Sequence, residues 1–243
     1  MAFTVLTVCT ANICRSATAE RSLRTAFDGN GLGDLIEVTS AGVAAIPGAP
    51  MCPEAAELLD APTPPGASPH ASRRLTAELV TGADLVLTAD RGHLGAAGAL
   101  APGRRARLYT LRQAATLLEW VIGGSGVLDI ARLRAAGGAP DLDPLDPLVQ
   151  VPALPESLDD RLAWLLDELD AARGTAPVGG PTFRRPLAPA GGAPGGGKTQ
   201  PLPWDADDVG DPHELGFEYH PDSVGLIVAA AQSIGRAFAT VLR

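Results

Sequence analysis

The stretch FTVLTVCTANICRSATAE, residues 3–20, decides the architecture. Phe3 to Val8 is a short apolar run rich in β-branched residues, the pattern of a strand buried on both faces of a parallel sheet. A loop of small and polar residues follows, and from Ser16 the period changes. Ala19, Leu23, Ala26 and Phe27 fall on one helical stripe, and Gly29 follows its end. The alternation continues along the chain. Further strands are expected at Ile36–Ser40, Leu85–Thr88 and Arg107–Thr110. Helices are expected at Met51–Leu59, with Pro53 tolerated in the first turn, and at Leu111–Val121. Strands alternating with helices predict an α/β fold with a doubly wound, four-stranded parallel sheet and right-handed crossovers.

Beyond Ile122 the pattern weakens, and GGSG and GGAPDLDPLDP read as loops. Ser157–Arg173 is an amphipathic helix carrying Leu158, Leu162, Leu165, Leu166 and Leu169. A last helix, about Asp222–Leu242, carries Val224, Ile227, Val228, Ile234, Phe238 and Val241. The expected organisation is one domain over residues 1–243 with an insertion at 123–204. Residues 174–203 hold eight Gly and seven Pro, too little apolar content to order themselves, so disorder is expected there.

Composition narrows the partners. A net charge of −9 argues against nucleic acid, and 4% aromatics leave few surfaces for base stacking. No signal segment is visible, and the last helix, the nearest approach to a membrane span, is interrupted by Gln232 and Arg236. Three cysteines make no disulfide framework, so a cytoplasmic protein with free thiols and no membrane partner is expected. The four histidines show no ligand spacing; no metal site and no cofactor are expected.

The loop after the first strand carries the chemistry. In an open α/β sheet, ligands bind beyond the carboxyl ends of the strands, where strand order reverses. There the N–H groups of Thr10, Ala11, Asn12, Ile13, Cys14 and Arg15 can turn inward together with the dipole of the following helix, which makes an anion cradle. Such a cradle favours a thiolate at Cys9, the nucleophilic form. Arg15 adds a planar fork that can hold two phosphoryl oxygens at once. Ser16 can hydrogen-bond the sulfur. These parts suit attack of sulfur on phosphorus, which then requires an acid for the leaving group and a base for water.

VCTANICRSATAE resembles the signature of the low-molecular-weight protein tyrosine phosphatases: Cys, two residues, Asn, one residue, Cys-Arg-Ser, then a helix with Glu. SAGV (Ser40–Val43), HASRRLT (His70–Thr76) and ADLVL extend the likeness, which covers about residues 3–122 and 205–243. The resemblance implies a Rossmann-like phosphatase fold and metal-independent hydrolysis of phosphomonoesters. It makes Cys9 the nucleophile and Arg15 the phosphate clamp, with Asn12 holding the loop and Ser40 buttressing it. Cys14 matches the family's second cysteine, a redox partner for the nucleophile or a small core filler. The implied substrate is a phosphorylated protein, phosphotyrosine foremost, or a small phosphomonoester.

The family's acid is the Asp of an Asp-Pro pair ahead of the final helix. Three pairs exist, at Asp143, Asp146 and Asp211, and the position of Asp211 matches. Asp143 and Asp146 are expected to make turns. Ala11 and Ala17 stand where the family has glycine and proline, and an alanine at 11 is awkward if positive φ is needed there. Ile46, His213 and Glu214 occupy places where rings are expected to sandwich a phosphotyrosyl group, with Phe217 or Tyr219 as substitutes. GAPGGGKT (Gly192–Thr199) fits a nucleotide-loop pattern but lacks the flanking strand and helix. Two other readings remain. An arsenate reductase on this fold needs a resolving cysteine pair, and residues 80–122 have none, with Cys52 alone in the second helix. A catalytically weak phosphoprotein-binding domain is disfavoured by the intact Cys9, Arg15 and Asp211 set.

Overall fold

The computed structural model describes residues 2–59, 69–143, 145–176 and 205–243. Strands β1 (Phe3–Cys9), β2 (Ile36–Gly42), β3 (Leu85–Thr88) and β4 (Leu108–Thr110) pair in the order β2-β1-β3-β4, all parallel. The register sets Val5 beside both Val38 and Leu85. The chain moves outward from β1 to β2, then returns to the other side of β1 for β3. Strand order therefore reverses between β1 and β3, and the ends of those two strands, Cys9 and Thr88, flank the crevice where such sheets bind ligands.

Nine helices accompany the sheet among the described residues: α1 (Arg15–Gly29), α2 (Pro53–Leu58), α3 (Ala77–Gly82), α4 (Arg91–Leu100), α5 (Leu111–Glu119), α6 (Val127–Ala135), α7 (Leu158–Ala171), α8 (Pro212–Leu215) and α9 (His220–Leu242). Alternate residues of β1 serve opposite faces, as a buried strand requires. Phe3 and Val5 join the larger core with α1, α5 and α9, while Leu6 and Val8 join a smaller core with Val80 of α3 and Ala97 of α4. Phe238 of α9 meets Phe3 and Phe27 edge-on, with centroids 5.7 and 5.5 Å away. Gly235 lets α9 approach α1, since a Cβ there would lie 2.9 Å from that of Ala26.

The fold class expected from sequence is the one observed, and the differences are local. Arg107 belongs to a 3-10 turn, Pro102–Arg107, and β4 begins after it. α5 runs on into a π-type turn, Trp120–Gly124. α9 starts at His220 with Pro221 in its first turn, earlier than expected. α3 and α4 are capped by Thr76 and Asp90, whose side chains accept from Leu79 N and His93 N.

Residues 127–135, between the two stretches read as loops, have no element expected from sequence. They form α6, which buries Leu128 and Ala131 in the larger core. α7 adds Leu162, Trp164, Leu165, Leu166 and Leu169 to the same core. Residues 174–176, assigned to a disordered tract from sequence, end a 3-10 turn with Thr175 N bonded to Ala172 O. The rest of that tract, 177–203, and the GAPGGGKT stretch lie outside the described residues. Phe217–Leu242 is, by length and composition, apolar enough to cross a bilayer despite Gln232 and Arg236, and 67% of its most apolar window is buried inside the protein.

Candidate active site

Cys9 ends β1, and α1 begins six residues later, so the loop between them sits on the crevice. Neighbouring segments hold its carbonyls from outside. Cys9 O accepts from Val43 N, Thr10 O from Ala44 N and Ile13 O from Cys52 N, at 2.9, 2.8 and 2.7 Å. His70 Nε2 lies 2.6 Å from Asn12 O. Among the described residues the N–H groups of Ala11 to Arg15 have no such partner, and they remain available to an anion. Gly42 is required beneath the loop, because a Cβ there would meet Thr10 O at 2.5 Å and Asn12 N at 2.7 Å.

The loop does not require positive φ at Ala11. Asn12 takes the left-handed conformation instead, at φ 57°, which asparagine tolerates better than alanine. Its buried side chain meets every demand of that position. Oδ1 accepts from Arg73 N at 2.9 Å, while Nδ2 donates to Ser40 Oγ at 2.7 Å and to Ser16 Oγ at 3.0 Å. Ser40 Oγ in turn donates to Glu20, which pairs with Arg24 at 2.7 Å. Ser16 Oγ accepts from Asn12 and lies 3.0 Å from Cys9 Sγ, within hydrogen-bond reach of the sulfur.

Arg15 is 4% exposed and fully engaged. One terminal nitrogen donates to Asp90 Oδ2 at 3.0 Å and Val209 O at 3.2 Å; the other donates to Thr10 Oγ1 at 3.0 Å and to the Asp211 carboxylate. Sequence reasoning placed Cys9, Arg15 and Asp211 at one site, and the fold brings the three together. It missed Asp90 and His93. Asp90 follows β3, beside β1 at the switch point, and that position was the available signal. Its Oδ1 accepts from His93 N at 2.9 Å, and His93 spans from Asp90 Oδ2 at 2.8 Å to Thr10 Oγ1 at 2.9 Å. Burial opposes ionisation of Asp90, but hydrogen bonds from His93, its charge and Arg15 outweigh it and hold the carboxyl at about 2.

Asp211 is carried by a segment laced over the ends of β3 and β4. Thr110 Oγ1 donates to Asp207 O at 2.6 Å, Arg112 to Asp208 O at 3.0 Å, and Val209 N to Ala89 O at 2.8 Å. Asp211 Oδ1 caps α8 through His213 N at 3.1 Å. Asp143 and Asp146 do what turn residues do, accepting from Leu145 N and Leu148 N at 2.8 Å each. Of the expected ring substitutes, Phe217 is 61% exposed and stacked on His220; Ile46 is also exposed.

The three cysteines are free. Cys14 turns away from the anion cradle into an apolar pocket with Cys52, Ala55 and Val224. Burial first, then Cys52 and Cys9, push its thiol well up. Burial and a hydrogen bond to Glu54 likewise raise Cys52. Cys52, the only cysteine at α2, is brought by the fold beside residues far from it in sequence. Cys14, Cys52, His213 and His220 each offer a ligand atom within 4.8 Å of the others.

Comparison with known proteins gives the family. The family model for low molecular weight phosphotyrosine protein phosphatase matches residues 4–119. The probable low molecular weight protein-tyrosine-phosphatase EpsP of Ralstonia nicotianae is 40% identical over 87 residues, 36% of this chain and 55% of that protein. The low molecular weight protein-tyrosine-phosphatase Etp of Escherichia coli is 37% identical over 111 residues, 45% of this chain and 69% of that one. The protein-arginine-phosphatase of Bacillus subtilis is 36% identical over 126 residues, 51% of this chain and 77% of that one. The chain thus spans little more than half the length of EpsP. It belongs to the low molecular weight phosphotyrosine protein phosphatase family.

Proposed function

We propose that this protein hydrolyses phosphomonoesters through a cysteinyl-phosphate, without a catalytic metal. The observation that carries the reading is the convergence of Cys9 Sγ, the Ser16 hydroxyl and Arg15, with Asp211 on the same guanidinium. An incoming phosphoryl group takes over the Arg15 fork and the loop N–H groups and displaces Asp211 toward the leaving atom, where the carboxylate, released from the guanidinium, takes a proton from solvent. Cys9 Sγ attacks phosphorus, the bond to the leaving group breaks, and Asp211 supplies the leaving atom with a proton. Asp211 then takes a proton from water as that water attacks phosphorus. The S–P bond breaks, which returns the Cys9 thiolate and releases inorganic phosphate.

The substrate we infer is a phosphorylated protein side chain, phosphotyrosine first. EpsP and Etp are named as tyrosine phosphatases, and exposed Phe217 follows the acid by six residues. Hydrolysis of p-nitrophenyl phosphate without added metal tests the chemistry. Turnover is expected in the native protein and not in Cys9→Ser. Asp211→Asn should slow poor leaving groups by about 100-fold, with little change in Asp143→Asn or Asp146→Asn. Equal losses in all three would reassign the acid. Matched phosphotyrosyl and phosphoarginyl peptides then separate the two named activities of the relatives; faster turnover of the phosphoarginyl peptide would reject the tyrosine reading.

A further inference from the structure

We propose that Cys14, Cys52, His213 and His220 form a binding site for a zinc-class ion that ties the Asp211 segment to the back of the phosphate loop. The four come from different parts of the chain. Cys14 immediately precedes α1, Cys52 immediately precedes α2, His213 lies in α8, and His220 opens α9. Their ligand atoms all lie within 4.8 Å of one another, with Cys52 Sγ 3.4 Å from His220 Nε2. A tetrahedral ion with bonds of about 2.0–2.3 Å needs donors about 3.3–3.8 Å apart, so a small contraction closes the site.

Three details favour a metal over an incidental cluster. The donor set is two sulfurs and two imidazoles, which selects zinc over the hard oxygen-seeking cations. His220 Nδ1 lies 2.9 Å from Phe217 O, a contact that places the proton on Nδ1 and leaves the Nε2 lone pair facing the sulfurs. Ligating histidines are usually held in this way. Binding releases the two thiol protons to solvent, and two thiolates with two neutral imidazoles balance the charge of Zn2+. A neutral centre is compatible with the apolar walls of Ala55 and Val224. Cys14, Cys52 and His220 are buried, and His213 is exposed, which leaves an entry path.

The consequence reaches the active site from behind. Cys14 adjoins Arg15, and His213 is two residues beyond Asp211, so one ion would fix the acid segment relative to the phosphate clamp. This site is independent of the phosphatase reading, because its occupancy is measured without turnover.

The test is titration of the reduced, chelator-stripped full chain with Co2+, then Zn2+. One Co2+ per chain is expected, with the visible bands of tetrahedral cobalt and a near-ultraviolet thiolate-to-cobalt band, displaced by one equivalent of Zn2+. Cys52→Ser and His213→Asn should each weaken binding by at least about tenfold. Cys9→Ser, which should abolish turnover, should leave the cobalt spectrum unchanged. His213 is exposed, so its variant keeps the test valid if Cys52→Ser fails to fold. Substoichiometric binding, an octahedral spectrum without a thiolate band, or loss of binding in Cys9→Ser would overturn the proposal.

Discussion

Arg15 holds two carboxylates, Asp90 and Asp211, and they are not equivalent. In the proposed reaction Asp211 yields the guanidinium when a phosphoryl group arrives, while Asp90, fixed by its own contacts with His93, stays as the partner that orients Arg15. Asp90 therefore contributes to stability in a pH-dependent way. Its folded value, about 2, lies below the ordinary aspartate value, so the contribution is full above that ordinary value and fades as pH falls toward 2. Asp90→Asn should cost about 2 kcal/mol relative to the native chain at pH 5, and about half of that at pH 3. Urea unfolding of both proteins at the two pH values measures the difference, and a gap independent of pH would show that Asp90 is not held ionised by these partners.

At the scale of elements, the phosphate loop depends on β2 as much as on its own residues. Gly42 closes that strand against the loop backbone, and the atoms a Cβ would strike are Thr10 O and Asn12 N, neither of which can rotate away. Gly42→Ala should displace the cradle and reduce kcat by about 100-fold, as misplacement by 1 Å commonly does. It should leave the Co2+ spectrum of the cysteine–histidine cluster in place. Unaltered kcat would show that the loop tolerates displacement. The four strands and the strand–loop–helix opening were legible because apolar runs and changes of period are local signals. α4, RGHLGAAGAL, was not, since three glycines dilute its pattern and its cap is Asp90. α6 was hidden behind GGSG, where Gly126 adopts φ 75° and restarts the helix. That Cys9, Arg15 and Asp211 share one site was expected from the family resemblance carried by the Cys9–Ser16 stretch and the Asp-Pro position. Asp90 and His93 gave only a positional signal, just after β3, and the Cys14–His220 cluster gave none, because tertiary structure alone brings its members together.

For the whole molecule, the decisive matter is whether the part that interrupts the family pattern is an attachment or a piece of the same core. Leu165 of α7 is fully buried in the cluster that contains Phe3, Leu85 and Phe238, and Tyr109 of β4 lies under Arg173 at 3.7 Å just beyond that helix. Arg161 of α7 reaches Val241 O at 3.2 Å near the end of α9, so the helix is held from both its apolar and polar sides. An attached subdomain would unfold alone. A shared core would carry its loss to the sheet. Leu165→Ala should therefore lower global stability by about 2–5 kcal/mol, whereas Leu158→Ala on the outer face of the same helix should change it by less than about 0.5 kcal/mol. Unfolding should remain a single transition, with far-ultraviolet circular dichroism and loss of phosphatase turnover coincident in urea. If circular dichroism falls in a first step while turnover persists, α7 is a satellite and the family core stands without it. Coincident curves would mean that the geometry of Cys9, Arg15 and Asp211 rests on an enlarged core that includes this helix.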